Sequence, residues 1–426
     1  MQPEAAAVET FGTFTYSCAV NSVDLHLLVI GGGVHGTFLS HALTRQTGID
    51  RAGVRVLDPF SEPLHYWRQY TGTIGMRFLR SPSSHNMDVD FRALRRWART
   101  RSDGDPSEFI EPYARPSLEL FDKHTDFVIR ENGLQMLRLK GRAMAIDIKP
   151  GGVVVTFEND GTRERISARN VLIAIGRSEQ LNVPSWAEIL AKRGAPISHI
   201  FGGSHAGAAG QFRRGEIVVV GGGITSAQFA LAMHRKTNRQ IVLVSRHESR
   251  IRMFDSNPCF IGPKCLSAFR TQPDYSSRRE LIVRHRYPGS MPPYVAEELS
   301  DAVRTGAIRR IAGELTGAEL TDGCIRMAIR EFSPSAKKTI VESERVYLAT
   351  GFRTERPGGR LIDDSISRFK LPIATCGFPI VDANLRWAPG VYVAGPLAEL
   401  ELGPASLNII GAHNAAKLLA PVLRAQ

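Results

Sequence analysis

Residues 28–43 read LVIGGGVHGTFLSHAL, and residues 218–233 read VVVGGGITSAQFALAM. Each is an apolar run, a glycine triplet and then apolar residues at helical spacing, the pattern of a strand that turns sharply into a helix. In the first copy Gly31 permits the tight turn, Gly33 lets backbone come close to a pyrophosphate, and Gly36 lets the helix lie against the strand. The helix start, with Val34 and His35, aims free N–H groups and the positive end of the helix dipole at phosphate oxygens. The next strand, VRVLDP, delivers Asp58. A carboxylate about 20 residues past the glycines is what a ribose diol needs as acceptor. A glycine turn in an unrelated α/β domain is the plain alternative.

The second copy repeats the turn with Gly221 and Gly223, followed by Ile224 and Thr225, but Ser226 stands where Gly36 stood. Serine is small enough for close packing and allows a slightly wider approach of the helix. The following strand, IVLV, ends in Ser245, Arg246 and His247 with no carboxylate at its tip. A carboxylate there would repel a 2′-phosphate, whereas Arg246 would pair with it, with Arg250 and Arg252 adding to the positive field. The second turn therefore reads as a site for NADPH rather than NADH. An arginine that simply meets solvent at a strand end is the alternative.

The duplication continues downstream. NVLIAIGRSE follows the first copy and RVYLATGFRT the second, each an apolar strand ending in a glycine, Gly176 and Gly351, that can close its sheet beside a pyrophosphate. A last strand, GVYVAGP at 390–396, leads through a loop into a helix. The order predicts an α/β chain with two Rossmann-like, doubly wound dinucleotide-binding domains, the NADP domain inserted into the first. Residues 25–205 and 346–426 make the first domain, with an insert at about 60–135, and residues 206–345 make the NADP domain. The Gly/Ala-rich FGGSHAGAAG at 201–210 marks the crossover into the insertion.

Composition bounds the rest. A chain of 426 residues suits two or three domains, and 43% apolar with 23% charged residues is globular. No apolar run is long enough to span a bilayer. Residues 1–24 lack the features of a secretory or transit peptide and read as a flexible extension of a cytoplasmic enzyme. The net charge of +12 is not gathered into a stripe with interleaved aromatics, so neither a nucleic-acid nor a membrane partner is expected. Five cysteines include no C-x-x-C pair, and Cys259 and Cys265 stand six apart, so free thiols are expected. The twelve histidines show no metal-ligand spacing.

With both fingerprints, the LATGF strand and the terminal VYVAGP…LGPASLN in view, the chain resembles the two-dinucleotide-domain flavoproteins over roughly residues 25 to 420. The missing C-x-x-C sets it apart from the dithiol reductases of that group. Gly75-Met76-Arg77-Phe78-Leu79-Arg80 and FDSNPCF at 254–260 are similar to segments of the N-hydroxylating ornithine/lysine monooxygenases. Arg80 replaces a lysine, Asn257 is an extra residue between Ser256 and Pro258, the usual Asn-Glu is absent, and FGGSH falls one residue short of the F-x-G-x-x-x-H signature. These departures bear on the substrate and leave the cofactor machinery intact.

The resemblance implies FAD in the first domain, NADPH in the second, and transfer of one oxygen atom from O2 to a small nucleophilic substrate, an amine nitrogen first. It also implies that Gly395 and Pro396, with the backbone near Ser406 and Leu407, lie against the flavin's pyrimidine edge. Met76 and Arg80 would form a substrate-facing wall. Trp67 and His85 are given no catalytic role, and Asp255 and Asn257 are candidates for orienting nicotinamide or substrate. A flavin reductase passing electrons to a quinone or protein acceptor, and a nucleotide sensor without turnover, share the same nucleotide signals.

Overall fold

The computed structural model describes residues 25–101, 105–203, 215–332 and 336–424. The N-terminal extension, with Cys18, and residues 204–210 of the Gly/Ala-rich crossover lie outside the described residues. The first copy forms β1 (Leu25–Ile30), α1 (Val34–Thr47) and β2 (Val54–Asp58). After an excursion of short helices come β3 (Arg138–Lys140), β4 (Arg142–Lys149), β5 (Gly152–Asn159) and β6 (Thr162–Ile173), then β7 (Ile197–His199). The second copy forms β8 (Glu216–Val220), α2 (Ile224–Thr237) and β9 (Ile241–Ser245). Its own excursion holds α3 (Pro263–Arg270), α4 (Tyr275–His285) and α5 (Pro293–Arg304). It returns through β10 (Ile308–Thr321), β11 (Cys324–Glu331) and β12 (Lys338–Leu348). β13 (Arg386–Ala388), β14 (Val391–Val393) and α6 (Ile409–Leu419) follow.

Two sheets result, wired alike. In the first, of order β13-β14-β6-β1-β2-β3, β1 runs parallel between β2 and β6, with Val29 opposite both Val56 and Leu172. In the second, β8 runs parallel between β9 and β12, with Val219 opposite Leu243 and Tyr347. Each sheet carries an antiparallel meander on one flank, β4-β5-β6 in the first and β10-β11-β12 in the second. All strands of the second sheet fall in sequence between β6 and β13 of the first, so one doubly wound unit interrupts the other.

The strand sequences explain the layers. Leu27, Leu28 and Val29 are fully buried although they point to opposite faces, as befits a central parallel strand covered on both sides. α1 and α6 close one face of the first sheet around Phe38, Leu39 and Ala412. The second sheet has a core on each face, one around Val219, Phe229 and Leu299, the other around Val218, Val242 and Met327. Met76 packs against the first core and one of the second pair, so the segment after the first helical region sits where the two units meet.

The fingerprint glycines are forced where the two turns are tightest. Gly31 has φ +104°, and a Cβ there would press on the Ala174 carbonyl across the sheet. A Cβ at Gly36 would fall on the Gly31 carbonyl oxygen, well inside contact distance. The second turn tolerates Ser226, whose hydroxyl donates to the Gly223 carbonyl at 2.8 Å. That helix stands off by enough to admit one small side chain.

Candidate functional site

Both helices that follow a glycine turn start bare. α1 begins at Gly33 and α2 at Gly223, and neither has a side-chain cap or an acidic residue in its first turn. Unpaired N–H groups at a helix start are an anion site. A Cβ at Gly33 would meet nothing within 4 Å, so the space in front of the first helix is open for a phosphate group. His35, in the first turn of α1, backs the cradle without lending it charge. Its Nε2 donates to the Asn408 carbonyl at 3.1 Å, which leaves Nδ1 a buried acceptor without a partner among the described residues. Burial pushes the pKa of His35 down to about 4, so the ring is neutral. The uncapped N–H groups and the open space at Gly33 fit a dinucleotide pyrophosphate at the first cradle.

Asp58 closes that cradle from the side. Its carboxylate accepts from the Gly32 amide at 2.5 Å and from the Phe60 amide at 3.0 Å, and pairs with Arg138 at 3.3 Å. Arg138 lies across Gly32 and donates to the Phe60 carbonyl at 2.6 Å, while its Nη1 has no partner. Sequence reading missed Arg138, because nothing local marks an arginine at the start of β3 as the cover of a turn more than a hundred residues earlier. Gly176 lies just beyond the end of β6, whose continuation, Ala174 and Ile175, packs against Gly31; its own surroundings are open, with the Ser178 hydroxyl nearest.

The second cradle is covered differently. The imidazole of His247 lies against Gly222 and Gly289, and Gly289 crowds the space beside Gly223. Ser245 is buried and donates to the His247 carbonyl at 3.0 Å, fixing the strand tip. Arg246 is exposed, with no hydrogen bond or ion pair among the described residues, so its guanidinium is free to meet an anion. Arg310 pairs with Glu248 at 2.8 Å, so the carboxylate next along the chain is already neutralised. Gly351, past the end of β12, has φ +77°, and its carbonyl accepts from His199 and from the Asn182 amide.

The C-terminal segment meets both units. Gly395 has φ +64° and abuts the His35 ring, and Pro396 is buried beside it. Ser406 is fully buried and its hydroxyl accepts from Arg286 at 3.0 Å, while Leu407 is half-exposed. The Asn408 side chain donates to Asp255 at 3.0 Å, so Asp255 anchors the FDSNP loop to the start of α6. Asn257 caps the turn that follows it, accepting from the Cys259 amide at 3.0 Å.

Glu399 anchors a buried ion cluster in this segment. It is fully buried and pairs with Arg286 at 2.7 Å, Arg177 at 3.3 Å and also Arg279. One buried carboxylate facing three guanidinium groups ties the region around α4 to the first unit and leaves the neighbourhood of Ser406 positive. Trp67 packs on Phe121 and donates to Asp122 at 3.1 Å, consistent with packing alone.

One expectation is corrected, and Arg80 is placed by its hydrogen bonds. It donates to the backbone carbonyls of Met253 at 2.8 Å and of Arg252 and Phe254 at 2.6 Å, and to Ser290 Oγ at 2.9 Å, so it clamps the insert to the second unit. Cys259 and Cys265, expected as free thiols, form a disulfide with Cα atoms 5.5 Å apart, while Cys324 and Cys376 are free. The turn at Pro258–Ile261 and the helix start at Pro263 fold the six-residue interval back on itself. Thiol titration of unfolded, unreduced protein should find two fewer thiols than titration after reduction; equal counts would remove the bond.

A family model described as pyridine nucleotide-disulphide oxidoreductase matches residues 108–258. No curated protein matches the chain in sequence. Among solved structures the chain is similar to an ornithine hydroxylase from Pseudomonas aeruginosa, with TM-score 0.74 and 15% identity, covering 94% of this chain and 99% of that one. It is similar to the ornithine N-hydroxylase of Kutzneria sp. 744 in a form with reduced FAD, NADP+ and L-ornithine, with TM-score 0.70, 12% identity, and 94% and 99% coverage. It is also similar to a bacillithiol disulfide reductase from Bacillus cereus, with TM-score 0.58, 16% identity, and 94% and 98% coverage. No helix among the described residues is long and apolar enough to cross a membrane. Two Rossmann-like units, one set inside the other, give this chain the fold of the two-dinucleotide-domain flavoproteins, in the form seen in ornithine N-hydroxylases.

Proposed function

We propose that the chain is an NADPH-dependent FAD monooxygenase that transfers one oxygen atom from O2 to a small nucleophile, an amine nitrogen first. The observation that carries the reading is the pair of uncapped helix starts at Gly33 and Gly223, the first closed by a carboxylate and the second followed, at the tip of the next strand, by the unpaired Arg246. The fold, shared with ornithine hydroxylases over 94% of the chain, supports it. Residues 25–205 with 346–426 form the FAD domain in this reading, and residues 206–345 the NADP domain. Bound FAD supplies the redox and oxygen chemistry, and the protein supplies orientation and a dry site.

The chain's own residues have separable tasks. Gly31, Gly33, Val34, His35, Gly36, Asp58 and Gly176 cradle the FAD pyrophosphate and ribose. Gly395, Pro396, Ser406 and Leu407 line its pyrimidine edge, beside the positive surroundings of Arg286. Gly221, Gly223, Ile224, Thr225, Ser226, Ser245 and Gly351 hold the nicotinamide dinucleotide, and Arg246 pairs with its 2′-phosphate. Met76 lines the wall between the two units, and Arg80 holds that wall in place.

Purified, yellow protein should oxidise NADPH in preference to NADH. A screen of amines should find one that couples O2 uptake to a hydroxylamine product. Arg246→Ala should raise KM for NADPH on the order of a hundredfold while leaving KM for NADH nearly unchanged, as loss of a charge-assisted contact implies. Equal effects on both would overturn the assignment. The Cys259–Cys265 disulfide and the family model favour one second reading, a reductase. Anaerobic NADPH oxidation at full rate with a quinone or disulfide acceptor, and no oxygenated product from any amine, would select it.

A further inference from the structure

A cavity of about 220 Å³ lies between α1, α6 and the loop at 84–91, and no residue of either glycine turn lines it. Its apolar walls are Phe38 from α1, Ile410 from α6, Phe91, and Ile261 from the disulfide-closed loop, with the polar Gln46 and Ser84 also on the lining. A dry apolar cavity of about 150 Å³ holds a benzene ring, so this one has room for a single ring or short chain with a polar group at each end.

The polar groups stand at two levels. The buried ends are His85 and His413. The ring of His413 packs at a tilt on Phe38, centroids 4.0 Å apart, and its Nε2 donates to the Asn86 carbonyl at 2.8 Å. That fixes its Nδ1 as a bare acceptor, with no hydrogen bond among the described residues. The ring of His85 makes none either; the residue is held by its amide, which donates to the Pro82 carbonyl at 2.9 Å. At the exposed end Lys417 lines the cavity and pairs with no carboxylate among the described residues, and Phe91 stands beside it, 58% exposed. A cation at the mouth, apolar walls and an unpaired acceptor at the floor describe a complementary molecule.

We propose that this cavity binds a small carboxylic acid, its carboxylate at Lys417, its body a ring or short chain, and a hydroxyl or similar donor at the far end against His413. The site shares no lining residue with either nucleotide cradle and does not depend on the monooxygenase reading.

The test is calorimetric titration of the full-length, flavin-loaded protein with 4-hydroxybenzoate, and with benzoate and 4-cresol as the analogues lacking one end. Saturable one-to-one binding of 4-hydroxybenzoate is expected, weakened on the order of tenfold by loss of either polar end. Lys417→Glu, a change at an exposed side chain, should weaken it by a similar factor with the melting temperature unmoved. Ala416→Phe, which fills the cavity from α6, should abolish binding while flavin content is kept. No saturable binding of any of the three probes overturns the proposal, and so does unchanged affinity in Lys417→Glu. Should Ala416→Phe fail to fold, the Lys417→Glu result decides alone.

Discussion

Gly36→Ala protein should leave purification colourless, while Ser226→Ala protein should keep its full complement of flavin. The alanine methyl at 36 has nowhere to go, because it lands on the Gly31 carbonyl oxygen, which belongs to the turn itself. Relief requires the start of α1 to move away from β1, and with it the N–H groups that face the pyrophosphate. Overpacking alone costs about 1–3 kcal/mol, a tenfold to hundredfold effect, and here it falls on the element that binds the cofactor. Far-UV circular dichroism should be retained, since both sheets keep their cores. At Ser226 a Cβ is already accommodated, and alanine removes only a hydrogen bond to Gly223 at the start of α2. Gly36→Ala protein with one flavin per chain would show that the first turn is not the flavin cradle.

That contrast also marks what was legible in the sequence. Strand, glycine turn and helix are local patterns, fixed by steric rules over sixteen residues, and the duplicated sheet wiring follows from reading the same pattern twice. Asp58 was legible because its distance from the glycines is set by one helix and one strand. Arg138 was not, because its guanidinium reaches Gly32 only after β3 has paired with β2. The partners of Glu399 are likewise drawn from Arg177, Arg279 and Arg286, a hundred or more residues away. The partners of Arg80 were not legible either: the resemblance implied a wall facing substrate, and the four acceptors from residues 252–254 and 290 that converge on its guanidinium lie about 170 to 210 residues away in the chain. The Cys259–Cys265 pairing depends on a turn and a helix start that spacing alone does not encode.

A second large effect concerns acid. His35, His41, His85 and His124 are all buried, and burial pushes each pKa down to about 4 from the ordinary 6.5. The surroundings modulate this: Asp88 pulls His41 and His124 upward, while Arg45 and Arg51 press His41 down and Arg96 presses His124 down. An unfolded chain takes up these protons near pH 6.5 and the folded chain only near pH 4, so the unfolded state binds more protons between those values. Stability is therefore full above pH 6.5 and falls as pH drops towards 4. Each histidine contributes a slope of about 1.4 kcal/mol per pH unit, so four together approach about 5 kcal/mol per unit, against a total stability of about 5–15 kcal/mol for a typical domain. Acid unfolding, followed by tryptophan fluorescence, should have its midpoint between pH 6 and pH 4. His41 is the sharpest probe, since neither ring nitrogen has a partner and nothing is lost by removing them. His41→Phe should move the midpoint to lower pH by a few tenths of a unit without lowering the melting temperature at pH 7.5. A wild-type midpoint below pH 4, or a His41→Phe midpoint moved upward, would show that protonation of these rings is not what unfolds the chain.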